Sequence, residues 1–246
     1  MKIGAAQIRF HLDFEKNLKN ISHWMRMASE QGVDILNFPE TSLTGYLYET
    51  FSDVRQEDIA SGIDQLGTLT QKLGISAVVG TPYWLDDRLF NSVVVLLADG
   101  RRFLYHKNNL VSYEEEYFVP GTDLLSFDIE ELRFGTIICR DQSFPGLAQR
   151  IKEEGGNVLF ISCAHFYPPM QARLKVEKNR ALPIARACEN GVFVCKANAV
   201  GSYRGRVSLG HSLLIGPNGV VISEAGETGE ELLAFDVDEF NLDWTW

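Results

Sequence analysis

Long apolar runs are missing from this sequence of 246 residues. No stretch of about 18 consecutive apolar residues occurs, so no segment is predicted to span a membrane. The opening residues 1–7 lack the extended apolar core and small-residue cleavage site of a secretory signal peptide. We therefore expect a cytoplasmic protein without a membrane partner.

Cysteine is scarce, and positive charge is outnumbered by negative charge. The four cysteines, Cys139, Cys163, Cys188 and Cys195, form no CxxC pair. This spacing argues against a zinc site or a disulfide framework and suits a reducing compartment. The formal net charge of −10 argues against a surface for nucleic acid or anionic lipid. Neither partner is expected, and nothing indicates a metal or another cofactor.

Apolar strands and amphipathic helices alternate in both halves of the chain. An apolar strand at 2–8 is followed by helical periodicity from Phe14 to Ala28, with Asp13 as its N-cap, and by a second strand at 33–38. Such a βαβ unit predicts two parallel strands joined by a right-handed crossover. No linker or low-complexity segment divides the chain, so we predict a single α/β domain over 1–246.

Ten further strands and three further helices are predicted from the same patterns. Strands are expected at 75–80, 89–98, 101–106, 124–127, 132–138, 158–162, 192–197, 211–215, 220–223 and 232–237, and helices at 64–73, 146–154 and 169–189. Pro183 lies within the last helix and is expected to kink or break it. Residues 107–120 are predicted as a loop. The stretch 201–210 has no GxGxxG motif between a strand and a helix, so no nucleotide site is indicated, and Gly205 and Gly210 are expected to shape a loop.

Four residues able to carry chemistry follow predicted strands or their loops. The apolar run 132–138 ends at Cys139, where a tight turn could expose a nucleophile. A buried structural cysteine is the alternative. Glu40, Lys107 and Glu114 could equally be a helix cap, a solvated charge and part of a surface acidic run. Since strand ends in an α/β sheet converge on one crevice, the four side chains could also meet there.

Taken together, short blocks in a characteristic order carry a family resemblance. They are Ala6-Gln7, Phe38-Pro39-Glu40 with Gly45-Tyr46, Tyr105-His106-Lys107, Glu114 with 117–121, Ile138-Cys139-Arg140-Asp141 with Phe144-Pro145, 186–191, and 210–212 with 216–219. In these blocks the chain resembles the nitrilase superfamily of carbon–nitrogen hydrolases. The resemblance implies a four-layer αββα sandwich, with two mixed β-sheets packed face to face and helices outside. It also implies a homodimer or higher homo-oligomer.

The resemblance assigns a role to each strand-end residue. Cys139 would be the nucleophile that forms a thioester, and Glu40 the base, because a free thiol is largely protonated at neutral pH. Lys107 and the backbone N–H of Arg140 would hold the oxyanion of the tetrahedral intermediate. Glu114 would orient Lys107 or position water. Asp141 is expected to brace the turn after the nucleophile.

Three residues are expected to contact the substrate, namely Tyr46, Arg140 and His165. Relatives usually carry an aromatic residue or Asn where this chain has Arg140. Its guanidinium could meet a substrate carboxylate, or it could form a salt bridge to a nearby acidic residue. His165 could instead be structural, and a Cys–His site using His165 or His211 is a further alternative.

The activity that the resemblance implies is hydrolysis of small linear amides with release of ammonia, like that of an ω-amidase or aliphatic amidase. An N-carbamoyl amine hydrolase is not separated from it by the sequence. A non-catalytic binding or regulatory member is the rival from another class. Acyl transfer to an acceptor other than water would use the same intermediate. The expected partner is a small-molecule amide.

Overall fold

The first βαβ unit forms as the periodicity predicts. The computed structural model describes residues 1–46, 51 and 55–240. Strand β1 (Lys2–Gln7) lies parallel to β2 (Ile35–Asn37), and helix α1 (Phe14–Glu30) connects them. The Asp13 carboxylate accepts a hydrogen bond from the backbone N–H of Lys16 at 2.9 Å, so the predicted N-cap is present.

In the described residues the other elements follow the predicted order with shifted ends, and a hairpin at 200–209 is added. They are α2 (Gln56–Leu73), β3 (Ser76–Leu85), β4 (Arg88–Leu96), β5 (Arg102–His106), β6 (Ser126–Ile129), β7 (Leu132–Ile138), α3 (Pro145–Glu153), β8 (Val158–Cys163), α4 (Pro169–Asn190), β9 (Phe193–Asn198), β10 (Val200–Tyr203), β11 (Arg206–Leu209), β12 (Leu213–Ile215), β13 (Val221–Glu224) and β14 (Glu231–Asp236). Three short 3-10 turns cover Glu114–Glu116, Cys139–Ser143 and Val237–Glu239.

Most of the strands build two six-stranded mixed sheets. The first has the order β14-β1-β2-β3-β4-β5, and the second has the order β13-β12-β9-β8-β7-β6. In each sheet three neighbouring strands are parallel, β1-β2-β3 in one and β7-β8-β9 in the other, and antiparallel strands extend both sides. The two halves of the chain therefore repeat one arrangement.

The two sheets pack face to face with helices on the outer sides, as the resemblance implies. One continuous apolar core contains Ile3 and Val78 of the first sheet and Phe160 and Val194 of the second. Polar contacts also cross this interface, because the buried Asn37 side chain donates to the backbone carbonyls of Ile161 and Cys195, at 3.2 and 3.0 Å. Helices α1 and α2 cover the first sheet, and α3 and α4 cover the second.

Two local features differ from what the patterns indicate. The stretch 201–210, to which no strand was assigned, lies largely in an antiparallel hairpin, in which β10 pairs with β11 and Gly205 lies at the turn between them. The pattern there was obscured because the hairpin forms a separate two-stranded sheet without the alternation of a core strand. Of the two outcomes expected at Pro183, a break is not observed, since helix α4 continues to Asn190 with Pro183 buried.

Candidate active site

Four strand-end residues predicted from the sequence lie at one region of the sandwich. Lys107 directly follows β5 and Cys139 directly follows β7, while Glu40 comes three residues after β2 and Glu114 opens a 3-10 turn. Strands β2 and β5 run in the same direction, so their carboxyl ends share one edge of the first sheet. Glu40, Lys107 and Glu114 are buried, whereas Cys139 is partly accessible.

A buried ammonium group joins the two carboxylates. Lys107 Nζ donates to Glu40 Oε1 at 2.6 Å and to Glu114 Oε1 at 2.8 Å, and all three side chains are fully shielded from solvent. Asn91 Nδ2 donates to the same two oxygens, at 2.8 and 3.0 Å. Two of the three ammonium hydrogens are thus used within the cluster, which leaves one for another acceptor.

The second oxygen of each carboxylate is held by a backbone amide. Glu40 Oε2 accepts from the N–H of Ala164 at 3.1 Å, and Glu114 Oε2 accepts from the N–H of Val111 at 2.8 Å. The Tyr46 hydroxyl donates to Glu114 Oε1 at 2.8 Å. These bonds fix both carboxylates before any ligand arrives, and the Ala164 contact connects Glu40 to the second sheet.

Burial and the neighbouring charges set the protonation of the cluster. Burial raises the pKa of Glu40 well above its usual value, although the positive charge of Lys107 opposes that rise. For Lys107, burial alone lowers the pKa, but attraction to Glu40 and Glu114 outweighs burial, so the pKa is raised overall. Lys107 therefore stays charged, while Glu40 is suited to taking up and releasing a proton.

The backbone at Cys139 turns sharply. Cys139 has a φ of +44°, a left-handed conformation that costs a non-glycine residue free energy. Asp141 holds this turn, because its Oδ2 accepts from the N–H of Ile138 at 3.1 Å and from the Tyr105 hydroxyl at 2.8 Å. Its Oδ1 accepts from the backbone and side-chain nitrogens of Asn109, at 2.8 and 2.9 Å. Asp141 braces the turn and is fully engaged.

The Cys139 thiol is protonated at neutral pH. A hydrogen bond to Cys163 and burial raise the pKa of Cys139 to about 12, against an opposing effect of His165. Burial also lowers the pKa of His165, which favours a neutral imidazole. A thiol in this state needs a base to become a nucleophile.

A cavity of about 610 Å³ opens in front of Cys139. Its walls include all three residues predicted to contact the substrate, Tyr46, Arg140 and His165. The imidazole of His165 lies close to Cys139, whereas His211 is not among the lining residues and is hydrogen-bonded to Glu224. Within the described ranges Arg140 has no ion pair with a carboxylate, so the predicted alternative of a salt bridge is not observed there.

In the described part of the chain, one cluster of two cysteines and a histidine has side chains of the types that ligate metals. A sulfur each from Cys139 and Cys163 and a ring nitrogen of His165 lie within 4.8 Å of one another. Because Cys139 is itself the sulfur that faces the cavity, a metal here would compete with its use as a nucleophile. The cluster does not indicate a metal centre that assists a reaction.

Several residues of the site were missed in the sequence. Asn91, which bridges both carboxylates, is a lone amide in the apolar run 89–98, and that break in the pattern was its only signal. Lys175 and Lys178 of α4 line the cavity as well. The helical pattern in the sequence does not show that these lysines face a cavity whose other walls belong to different elements.

Comparison with known proteins agrees with the fold. The family model for carbon–nitrogen hydrolases matches residues 2–241. The chain is 33% identical over 234 residues to a nitrilase of Pyrococcus abyssi, covering 92% of this chain and 85% of that protein. It is 28% identical over 245 residues to 2-oxoglutaramate amidase of Bacillus subtilis, covering 97% and 92%.

The solved structure of a nitrilase-superfamily amidase from Nesterenkonia superposes with a TM-score of 0.88 at 25% identity, covering 97% of this chain and 91% of that chain. Variants of that amidase have been solved in complex with butyramide and with acrylamide added to the active-site cysteine. In the described residues, no helix combines the length and apolar character needed to cross a membrane. The chain belongs to the carbon–nitrogen hydrolase family of the nitrilase superfamily and is an amidase-type enzyme of that family.

Proposed function

We propose that the protein hydrolyses small linear amides through a thioester on Cys139 and releases ammonia. The observation that carries this proposal is the buried arrangement of Glu40, Lys107 and Glu114 within electrostatic range of Cys139, which lines the cavity. It supplies a base, an electrophilic cation and a nucleophile within one cluster.

In the first step Glu40 takes the thiol proton while Cys139 Sγ attacks the amide carbon. Transfer during the attack is favoured over a preformed thiolate, because the pKa of Cys139 is raised to about 12. The raised pKa of Glu40 brings the carboxyl closer to the thiol in proton affinity, which makes the transfer less uphill. Glu40 is therefore the general base of the proposal.

The amide oxygen becomes an oxyanion as the carbon becomes tetrahedral. The remaining N–H of Lys107 and the backbone N–H of Arg140 are the proposed donors to it. Protonated Glu40 then passes its proton to the amide nitrogen, ammonia leaves, and the thioester remains. Water deprotonated by Glu40 attacks the thioester, and the acid leaves with the thiol restored. Glu114 acts as a positioning residue, since its Oε1 holds Lys107 at 2.8 Å.

Charge around the cavity favours amides that carry an anionic group away from the reacting carbon. Among the described lining residues, Arg140, Lys175, Lys178 and Arg206 are cationic and none is a carboxylate, in a protein of net charge −10. Lys175 Nζ lies 3.9 Å from the ring centroid of Tyr167, which fixes its position on the wall. A carboxylate at the far end of a linear amide would meet this cationic wall.

The deciding experiment measures ammonia release from matched linear amides. Succinamate and glutaramate carry a terminal carboxylate, and butyramide is a neutral amide of similar length. We expect higher kcat/KM for the anionic pair, and a selective loss of that advantage in Lys178→Gln, with Lys152→Gln of α3 as the exposed control. Intact mass should show an acyl adduct that is absent in Cys139→Ala. Absence of both turnover and adduct across the panel would contradict the proposal.

An N-carbamoyl amine hydrolase is the alternative that uses the same groups. Its substrates would release carbon dioxide together with ammonia, so adding N-carbamoyl amines to the panel separates the two activities. Transfer of the acyl group to another acceptor would appear as hydroxamate formation when hydroxylamine is added. Faster thioester breakdown with hydroxylamine than with water would favour that acceptor chemistry.

We propose a homodimer that associates through the outer helices. Support comes from two apolar side chains four residues apart on α4, Met170 and Leu174, which are 78% and 75% exposed. Light scattering should report twice the chain mass, and Met170→Lys with Leu174→Lys should reduce it to one. Leu12→Lys, at a separate exposed leucine, is the control that should leave the mass unchanged.

We also place the enzyme in the cytoplasm. Support comes from its four cysteines, all of which are free, including the exposed Cys188. Fractionation of cells that express the chain with an epitope tag would test this placement.

A further inference from the structure

A second thiol lies directly beside the proposed nucleophile. Strands β7 and β8 are parallel, and Ile138 lies opposite Ser162. The residues that come next in the chain, Cys139 and Cys163, are therefore neighbours. Their sulfur atoms lie within 4.8 Å of each other, and the neighbouring Cys163 side chain raises the pKa of Cys139. The mechanism proposed above makes no use of Cys163.

We propose that Cys163 is a resolving thiol, which converts a peroxide-oxidised Cys139 into a reversible Cys139–Cys163 disulfide. The pair would inactivate the enzyme under oxidising conditions and protect its nucleophile from irreversible oxidation. The inference concerns the two thiols themselves and does not depend on which amide is the substrate.

The oxidation balances with hydrogen peroxide as the only oxidant. The Cys139 thiolate attacks one peroxide oxygen, the O–O bond breaks, and a sulfenic acid and hydroxide form. Cys163 Sγ then attacks Cys139 Sγ, the S–S bond forms and the S–O bond breaks. The leaving hydroxide takes the Cys163 proton as water. In total two thiols and one peroxide give one disulfide and two waters.

Accessibility sets the order of these steps. Cys139 faces the cavity and is partly accessible, while Cys163 is fully buried, so peroxide reaches Cys139 first. The other buried thiol, Cys195, donates to the Gly4 carbonyl at 3.1 Å on the interface between the sheets. Cys163 is thus the thiol placed to intercept a sulfenic acid at Cys139.

The local chemistry makes the reaction slow and the product easy to reduce. Because the pKa of Cys139 is raised to about 12, little thiolate is present at neutral pH, and oxidation should accelerate as the pH rises. To form this bond, the two sulfur atoms, which lie within 4.8 Å of each other, must move to bonding distance. Disulfides formed with such distortion are reduced more readily than relaxed ones.

Peptide mass mapping after treatment of the intact protein with hydrogen peroxide tests the proposal. Trypsin places Cys139 in the peptide 134–140, Cys163 in 153–173, and both Cys188 and Cys195 in 187–196. We expect the peptides 134–140 and 153–173 to become linked with loss of two hydrogen atoms. Dithiothreitol should separate them and restore the amidase activity that peroxide removed.

Cys163→Ala and Cys163→Ser provide two variants in case one folds poorly, and Cys188→Ser is the exposed control. In both Cys163 variants, Cys139 should gain two oxygen atoms as sulfinic acid. Dithiothreitol should then restore none of the lost activity, measured against the untreated sample of the same variant. Cys188→Ser should behave like the unmodified protein.

The proposal fails if Cys139 links to peptide 187–196, stays unoxidised, or reaches sulfinic acid equally in the presence of Cys163. These three outcomes are measured as peptide masses, so they can be determined even if the protein lacks the proposed amidase activity.

Discussion

Gly80 of β3 packs against the backbone of Glu40 so closely that it leaves no space for a side chain. A Cβ at position 80 would lie 2.8 Å from the carbonyl carbon of Glu40 and 2.5 Å from the backbone nitrogen of Thr41, and it would also meet the Pro39 carbonyl. The Gly80 carbonyl in turn accepts from the N–H of Leu43 at 3.1 Å. Strand β3 therefore contacts the Glu40 segment through its backbone, with no side chain between them.

Gly80→Ala should accordingly reduce activity without touching any proposed catalytic group. The added methyl must push the backbone at Glu40, and a displacement of about 1 Å at a reacting group can cost on the order of 100-fold in rate. Steady-state kinetics on the amide substrate measure the loss. The control is Gly146→Ala in α3, where a Cβ meets nothing within 4 Å. Equal kcat for the two variants would contradict the positioning role of Gly80.

Glu40→Gln should abolish most turnover, because the glutamine amide cannot accept the thiol proton. Loss of a general base typically costs roughly 10²–10⁴ in rate. Single-turnover kinetics and formation of the acyl adduct should both slow, while circular dichroism stays unchanged. His165→Gln should retain more activity than Glu40→Gln. The reverse order would assign the base to His165 and contradict the proposed role of Glu40.

The pH profile should show the raised pKa of Glu40. Burial disfavours its ionised form, so the pKa is raised, and the base works only above that pKa. Activity should fall as the pH drops through this value, at a higher pH than for an ordinary carboxyl group. The position of the acidic limb of kcat/KM measures this pKa. The profile is recorded between about pH 4 and 9, because this range covers the normal pKa of a carboxyl group and neutrality. A limb at the pKa of an exposed glutamate would contradict the burial argument.

Glu114→Gln should weaken the hold on Lys107. Attraction to Glu114 is one of the causes that raise the pKa of Lys107, so its removal should lower that pKa. Since Lys107 must be charged to bind the oxyanion, the alkaline limb of kcat/KM should move to lower pH. Glu115→Gln, at the exposed neighbouring position, should leave both kcat and the limb unchanged. A drop in kcat without movement of the limb would indicate a purely structural role for Glu114.

Asp141→Asn should destabilise the turn that carries Cys139. Its two oxygens accept four hydrogen bonds, from Ile138, Tyr105 and both nitrogens of Asn109, and an amide group replaces one acceptor with a donor. The unmatched buried donors should lower the free energy of unfolding by about 1–3 kcal/mol. Urea denaturation measures this change. Asp128→Asn, whose ion pair with Arg133 is exposed, should change it far less.

The strand-end chemistry was predictable because it depends on local patterns. Apolar runs end at Cys139 and at Lys107 in the sequence, and β2 and β5 run in the same direction, so their carboxyl ends lie at the same end of the first sheet. Cys139 follows β7 of the second sheet and meets them because the two sheets pack face to face. The order of the short family blocks added the layered architecture. The hairpin formed by β10 and β11 was not predictable in the same way, since its strands contribute little to the core whose periodicity marks a strand.

The amino-acid sequence by itself determined most of the elements and the family, and it indicated the four groups of the candidate site, because short patterns along the chain carry each of these. The tertiary structure alone decided that Asn91 bridges two carboxylates, that α4 lines the cavity with lysines, and that Cys163 lies beside Cys139. Each of these contacts joins residues from separate elements. Their distances are set by how strands pair and how the layers pack, which no spacing along the chain records.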